Sequence, residues 1–182
     1  MSQFFSINKF FNYLKSMGLK VSRDTIYEYM EYLKDISFIF PVKKFEYSLK
    51  KQEISLSKIY LLDNSFKTYL GFSFSKDIGH YYENIVFGEL KRRGGEIYYF
   101  KNRFECDFIH KDFLKNKIIA YQVAYDITEE QTFEREIAGL KRTMENLGIK
   151  EGILINSELD EVITEPDKQI KILPLWKFLL SY

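Results

Sequence analysis

A single cysteine, Cys106, stands among 182 residues, which excludes a disulfide framework and any cysteine-rich zinc module. Three prolines and nine glycines are too few for a collagen-like, linker-rich or loop-dominated chain. No apolar run approaches the ~18 residues needed to cross a bilayer. The opening MSQFFSINKF lacks the basic-then-apolar layout of a signal peptide. An excess of charge of one sign is missing as well. Twenty-seven Lys and Arg stand against 26 Asp and Glu, a net charge of +1, so a general electrostatic grip on nucleic acid or an anionic membrane is not available. These absences lead to the expectation of a soluble, cytoplasmic, globular chain with no membrane partner.

What is present suits a packed core. Hydrophobic residues make up 46% and aromatics 18%, with 17 Phe and 14 Tyr, enough to exclude general disorder. The length fits one domain or two small ones. Charge is uneven along the chain: residues 1–65 and 66–117 each carry 10 basic and 7 acidic residues, whereas 118–182 carry 7 and 12. A nucleic-acid face would therefore lie before the acidic C-terminal third.

The first part, 1–62, reads as helix, helix, hairpin. Ile7, Phe10, Phe11, Leu14 and Met17 recur at helical spacing and Gly18 follows as a stop. Ser22 is a good N-cap for a second helix with Ile26, Tyr29, Met30 and Leu33 as its stripe. Strands are expected over Phe38–Tyr47 and Ile54–Leu62, joined by a polar turn, Ser48–Glu53. That order describes a winged-helix-like module. Its wing would be basic, with Lys43, Lys44, Lys50, Lys51 and Lys58 against Glu46 and Glu53, and the first four are the candidate nucleic-acid contacts. Lysines on an exposed hairpin also serve simply to keep an edge strand soluble.

The second part, 63–182, reads as α/β with a mixed sheet. A helix over Ile78–Arg93 ends at Gly94-Gly95. Strands Glu96–Lys101, Phe104–His110 and Ile118–Tyr125 follow, then a helix over Glu129–Leu147. Short strands Gly152–Asn156 and Gln169–Leu173 come next, and Pro174 opens a last helix anchored by Trp176.

Alternation on a strand places Glu105, Asp107 and Ile109 on one side, with Cys106 and His110 opposite, and Ala120, Gln122 and Ala124 together on the next strand. Asp107 and Gln122 would meet across the pair, and Glu83 would reach them from the preceding helix. An acidic helix residue, a strand Asp and an i, i+2 pair on the next strand is the layout of PD-(D/E)xK nucleases. There two carboxylates hold a hard divalent cation such as Mg²⁺, and a lysine steadies the attacking water. Glu83 and Asp107 are thus the candidate metal ligands, and Glu83, Asp107 and Gln122 the candidate catalytic set.

The stretches KIYLLDNSF, IGHYYENIVFGELKRRG, IYYFKNRFECDFIH and AYQVAYDI resemble the C-terminal domain of unknown function of archaeal and bacterial AAA-type ATPases. Gly79, His80, Glu83 and Asn84 match its Gly-His-x-x-Glu-Asn; Glu105, Asp107 and Phe108 match its Glu-x-Asp-Phe. The resemblance implies a winged-helix-like part followed by a restriction-endonuclease-like fold, and an ATPase domain as partner in cis or in trans. It also implies a fragment, because no phosphate-binding loop is present. Where the resemblance has Glu-Val-Lys, this chain has Gln122-Val123-Ala124. Glutamine removes a charge that would hold Mg²⁺, and alanine removes the ammonium; Lys141 or Arg135 on the following helix are the candidate substitutes. The favoured expectation is a catalytically degenerate, nuclease-like module that binds DNA or a protein partner. An active Mg²⁺-dependent DNA endonuclease and a purely structural interaction domain are the alternatives.

Overall fold

The computed structural model describes residues 4–69 and 78–181. Two helices lead, α1 (Ile7–Ser16) and α2 (Arg23–Asp35). The Ser22 hydroxyl caps α2 by accepting from Thr25 N at 3.0 Å, and Gly18, at φ +78°, takes the left-handed conformation that ends the preceding helix. A three-stranded antiparallel sheet of order β1-β3-β2 is built from β1 (Phe4–Phe5), β2 (Ile39–Val42) and β3 (Ser57–Leu61).

The expected polar turn between β2 and β3 contains a helix instead, α3 (Leu49–Ile54). Its residues Leu-Lys-Lys-Gln-Glu are all strong helix formers, with no glycine, proline or asparagine to break them. Nor does β2 run on to Tyr47. After Val42 the chain crosses to the second sheet, where Phe45 N donates to Tyr99 O at 2.7 Å and Tyr99 N to Lys43 O at 3.1 Å. The expected free wing is therefore a cover on the edge of that sheet.

Helix α4 (Asn64–Tyr69) follows β3. The six-stranded mixed sheet has the order β4-β5-β6-β7-β9-β8. Its strands are β4 (Glu96–Lys101), β5 (Glu105–Asp112), β6 (Lys117–Val123), β7 (Glu151–Asn156), β8 (Glu161–Glu165) and β9 (Lys168–Pro174). β6, β7 and β9 are parallel and the outer pairs antiparallel. β8 was not expected; it pairs with β9 across Pro166-Asp167, a turn-forming dipeptide.

Helices cover both faces of this sheet. On one, α6 (Glu130–Leu147) contributes Ile137, Leu140 and Met144 to a core with Cys106, Ile109, Ala120, Leu154 and Ile172. A Cβ on Gly152 would lie 2.6 Å from Met144 Sδ, so a side chain there would force Met144 of α6 to shift. On the other face, α5 (Ile78–Arg93) and α7 (Leu175–Leu180) supply Val86, Phe87, Leu90 and Phe178 against Phe108, Tyr121 and Ile155. Val42 and Tyr60 of the three-stranded sheet join this second core. Leu175 and Phe178 anchor α7, while Trp176, expected in that role, is exposed.

Candidate functional site

Buried residues Val86, Phe87 and Leu90 form the apolar stripe of α5, and Glu83 lies one turn earlier on the same face. Helical periodicity thus carries a carboxylate into the interior, where Glu83 is 7% exposed. On β5 the decisive feature is a bulge. Tyr98 pairs with Ile109 but Phe100 pairs with Cys106, so two steps on β4 oppose three on β5. The extra residue breaks the alternation at Asp107-Phe108. Cys106 and Ile109 both face α6, while Asp107, Phe108 and His110 face the α5 side. His110 is therefore on the same side as Asp107, contrary to strict alternation, and its Nε2 lies 2.6 Å from Gly94 O.

Strand β3 completes the site. Lys58 and Tyr60 are its inward-facing residues, and the Lys58 side chain, 1% exposed, enters among the carboxylates. Its Nζ lies 3.2 Å from Glu83 Oε1, 2.9 Å from Glu105 Oε1 and 3.2 Å from Asp107 Oδ1. Tyr60 OH donates to Glu83 Oε1 at 2.7 Å, and Val123 N donates to Asp107 Oδ2 at 3.0 Å. His80 Nδ1 lies 3.7 Å from Glu83 Oε2. The rings of Phe4 and Tyr99 each have their centroids 5.8 Å from Lys58 Nζ, within cation–π range.

The electrostatics follow from this crowding. Burial, then the neighbouring Glu83 charge, push the Asp107 carboxyl up to about 7, against the opposing pull of Lys58 and the Val123 amide. Burial works against the Lys58 ammonium, but Asp107, Glu83 and Glu105 outweigh it and hold it above the ordinary lysine value. For Glu105 burial is again opposed, by Lys101 and Lys58, and the carboxyl ends below its usual range.

Gln122 is not part of this cluster. Its strand parity points it to the α6 side, where Nε2 donates to Glu136 Oε2 at 2.8 Å; Oε1 is buried without a hydrogen-bond partner. Ala124 packs on the same α6-side core. The expected meeting of Asp107 and Gln122 fails because the bulge turns Asp107 toward α5 while β6 keeps its alternation. Nor do the candidate substitute cations reach the site: Lys141 pairs with Glu165 at 2.6 Å and Arg135 with Glu136 at 2.9 Å. The ammonium comes from Lys58, one of the lysines of the expected wing. Of the other wing lysines, Lys43 pairs with Glu53 and Lys44 with Glu46, and Lys50 and Lys51 are exposed on α3. The signal for Lys58 was available: in Ser57–Leu61 it occupies an inward position two residues before Tyr60, where an apolar residue is normal.

Three carboxylates are chemically suited to a hard divalent cation, but an ammonium already stands at their centre. Among the described residues no group of three His, Cys, Asp or Glu side chains is arranged to hold a metal ion. In this arrangement the three carboxylates hold the Lys58 ammonium.

A family model described as a domain of unknown function (DUF8612) matches residues 5–76. An uncharacterized protein of Methanocaldococcus jannaschii is 40% identical over 190 residues, covering 97% of this chain and 41% of its own length. An uncharacterized protein of Haemophilus influenzae is 28% identical over 130 residues, covering 71% of this chain and 32% of its own. The chain therefore spans less than half the length of these relatives. No solved structure matches. No helix among the described residues is long and apolar enough to cross a membrane.

Proposed function

We propose that this chain is a nuclease-like module without nuclease activity, a winged-helix-like part joined to a PD-(D/E)xK-like part, which acts by binding a protein partner within or beside a larger ATPase-type protein. The observation that carries this reading is the Lys58 ammonium held at 2.9–3.2 Å by Glu83, Glu105 and Asp107. The positive charge that a cation would supply is already supplied from within, and Gln122 and Ala124 offer no replacement ligand or ammonium on that face. The order α5, β4, β5, β6, α6, β7, with helices on opposite faces of a mixed sheet, supports the nuclease-like architecture. The order α1, α2, β2, β3 supports the winged-helix-like one. Relatives more than twice as long support the view of a module within a larger protein.

A protein partner is favoured over DNA by the surface of the leading helices. Tyr13 and Met17 on and just after α1, and Tyr29, Tyr32 and Ile36 on and just after α2, are all exposed. Exposed tyrosine and methionine at helical spacing are the composition of a protein interface, whereas α2 offers phosphate two glutamates, Glu28 and Glu31. The test is incubation of the chain with linear, branched and single-stranded DNA in Mg²⁺ or Mn²⁺. No metal-dependent cleavage is expected. Robust cleavage that Asp107→Ala abolishes without loss of folding would establish the endonuclease instead.

A further inference from the structure

Four of the motif residues, Glu83, Asn84, Glu105 and Asp107, share one property: they all face strand β3. Glu83 accepts from Tyr60 OH and pairs with Lys58. Asn84, the next residue, uses both ends of its amide on the backbone of Leu61, accepting from Leu61 N at 2.9 Å and donating to Leu61 O at 3.0 Å. That is the hydrogen-bond pair a neighbouring strand would make. Glu105 and Asp107 hold Lys58, and Tyr99 OH donates to Leu56 O at 2.6 Å just before the strand.

We infer that Glu83, Asn84, Glu105 and Asp107 form a docking socket for strand β3, with Lys58 as its plug, which fastens the three-stranded sheet to the six-stranded one. The inference rests on the reading of Lys58 as the resident cation of the site and assigns it a task. Specificity comes from charge and backbone pairing together. An ammonium on a strand is accepted only where the carboxylates converge, and the Asn84 amide fixes the strand's position along its own axis. A slip by one residue would withdraw Lys58 and Tyr60 and turn their neighbours inward. Burial of a lysine here, costly in isolation, is satisfied by three carboxylates at once.

The experiment is hydrogen exchange of the full chain, comparing amides of β2 and β3 with those of β7 and β9. Lys58→Met keeps the length and apolar stem of the plug and removes its charge. Asn84→Ala breaks the backbone clasp without touching charge, and carries the test should Lys58→Met fail to fold. In either folded variant, β2 and β3 amides should exchange faster by about tenfold or more beyond any rise seen in β7 and β9. Unchanged exchange in β2 and β3 in folded variants, or a uniform rise across both sheets, would overturn the socket. Divalent metal binding by the parent would end the silent-site reading while leaving the exchange result to stand, so the two failures are distinguishable.

Discussion

The two faces of the six-stranded sheet are built on opposite terms. The α6 face is an ordinary apolar core of Leu140, Met144, Leu154, Ile170 and Ile172, interrupted at its margin by the Gln122–Glu136 pair. The α5 face has apolar contacts too, but it also buries Lys58, Glu83 and Asp107. Apolar packing tolerates many arrangements of similar volume, whereas one ammonium among three carboxylates permits a single docking geometry. The comparison separates two tasks: the α6 face holds the sheet together, and the α5 face decides what lies against it.

The largest effect that would break or sharpen this comparison is loss of the plug. Lys58→Met leaves buried carboxylates uncompensated and should cost about 3–5 kcal/mol of stability, comparable to the roughly 2–5 kcal/mol expected for Leu140→Ala on the other face. The two losses differ in what repairs them. Adding Asp107→Asn and Glu83→Gln should restore much of the stability of the Lys58→Met chain and none of that of the Leu140→Ala chain, as read by urea unfolding in a mutant cycle. Equal response of both chains would erase the distinction between the faces.

A smaller effect is expected at Gln122. Gln122→Glu replaces the donor to Glu136 with a second carboxylate, on the α6 face. Each of the two carboxyls then has its folded-state pKa raised by the other, so the variant should match the parent in acid and lose about 1–3 kcal/mol as pH rises past the ordinary carboxylate range. Thermal unfolding across pH checks it. The double change Gln122→Glu, Ala124→Lys, which would restore the nuclease-like motif in sequence, should not create divalent-metal affinity by calorimetry, because neither side chain faces Glu83 and Asp107.

The smallest effect is a titration. Asp107 should take up a proton near pH 7, with Glu105 titrating below the usual glutamate range, both visible in carboxyl carbon chemical shifts. For Asp107 the folded-state value lies above the unfolded one. Its contribution therefore favours the native state at low pH and is lost progressively as pH rises through that window. Titration of Asp107 near its unperturbed value would mean that burial and Glu83 do not dominate its surroundings.

Much of the architecture was legible in periodicity. The helices over Arg23–Asp35 and Glu130–Leu147, the Ser22 cap, the stop at Gly94-Gly95 and three successive strands before α6 all followed from local pattern, whereas Tyr29, expected in the apolar stripe of α2, is exposed. What was not legible depended on contacts distant in sequence. The Ser48–Glu53 segment looked like a turn because it is polar, yet its helix propensity decided the outcome. The bulge at Asp107 has no local signature, since nothing in Glu105-Cys106-Asp107-Phe108 announces an extra residue in the ladder. It undid the expected meeting with Gln122 and reversed the side on which His110 lies. Glu83 and Asp107 do come together as the motif suggested. Their counter-ion, though, lies 25 residues before Glu83 and 49 before Asp107, and was hidden among four other lysines of a polar hairpin.

The central claim is that these carboxylates hold a lysine and not a metal. Titrating the parent chain with Mn²⁺ while observing its carboxyl and Lys58 ammonium resonances tests it most directly, because a paramagnetic ion broadens what it touches. The expected result is no selective broadening of Glu83, Glu105 or Asp107 at millimolar Mn²⁺, with the Lys58 resonance unmoved. Selective broadening of those three carboxyls, together with displacement of the Lys58 signal, would show that the site exchanges its ammonium for a divalent cation and would contradict the account.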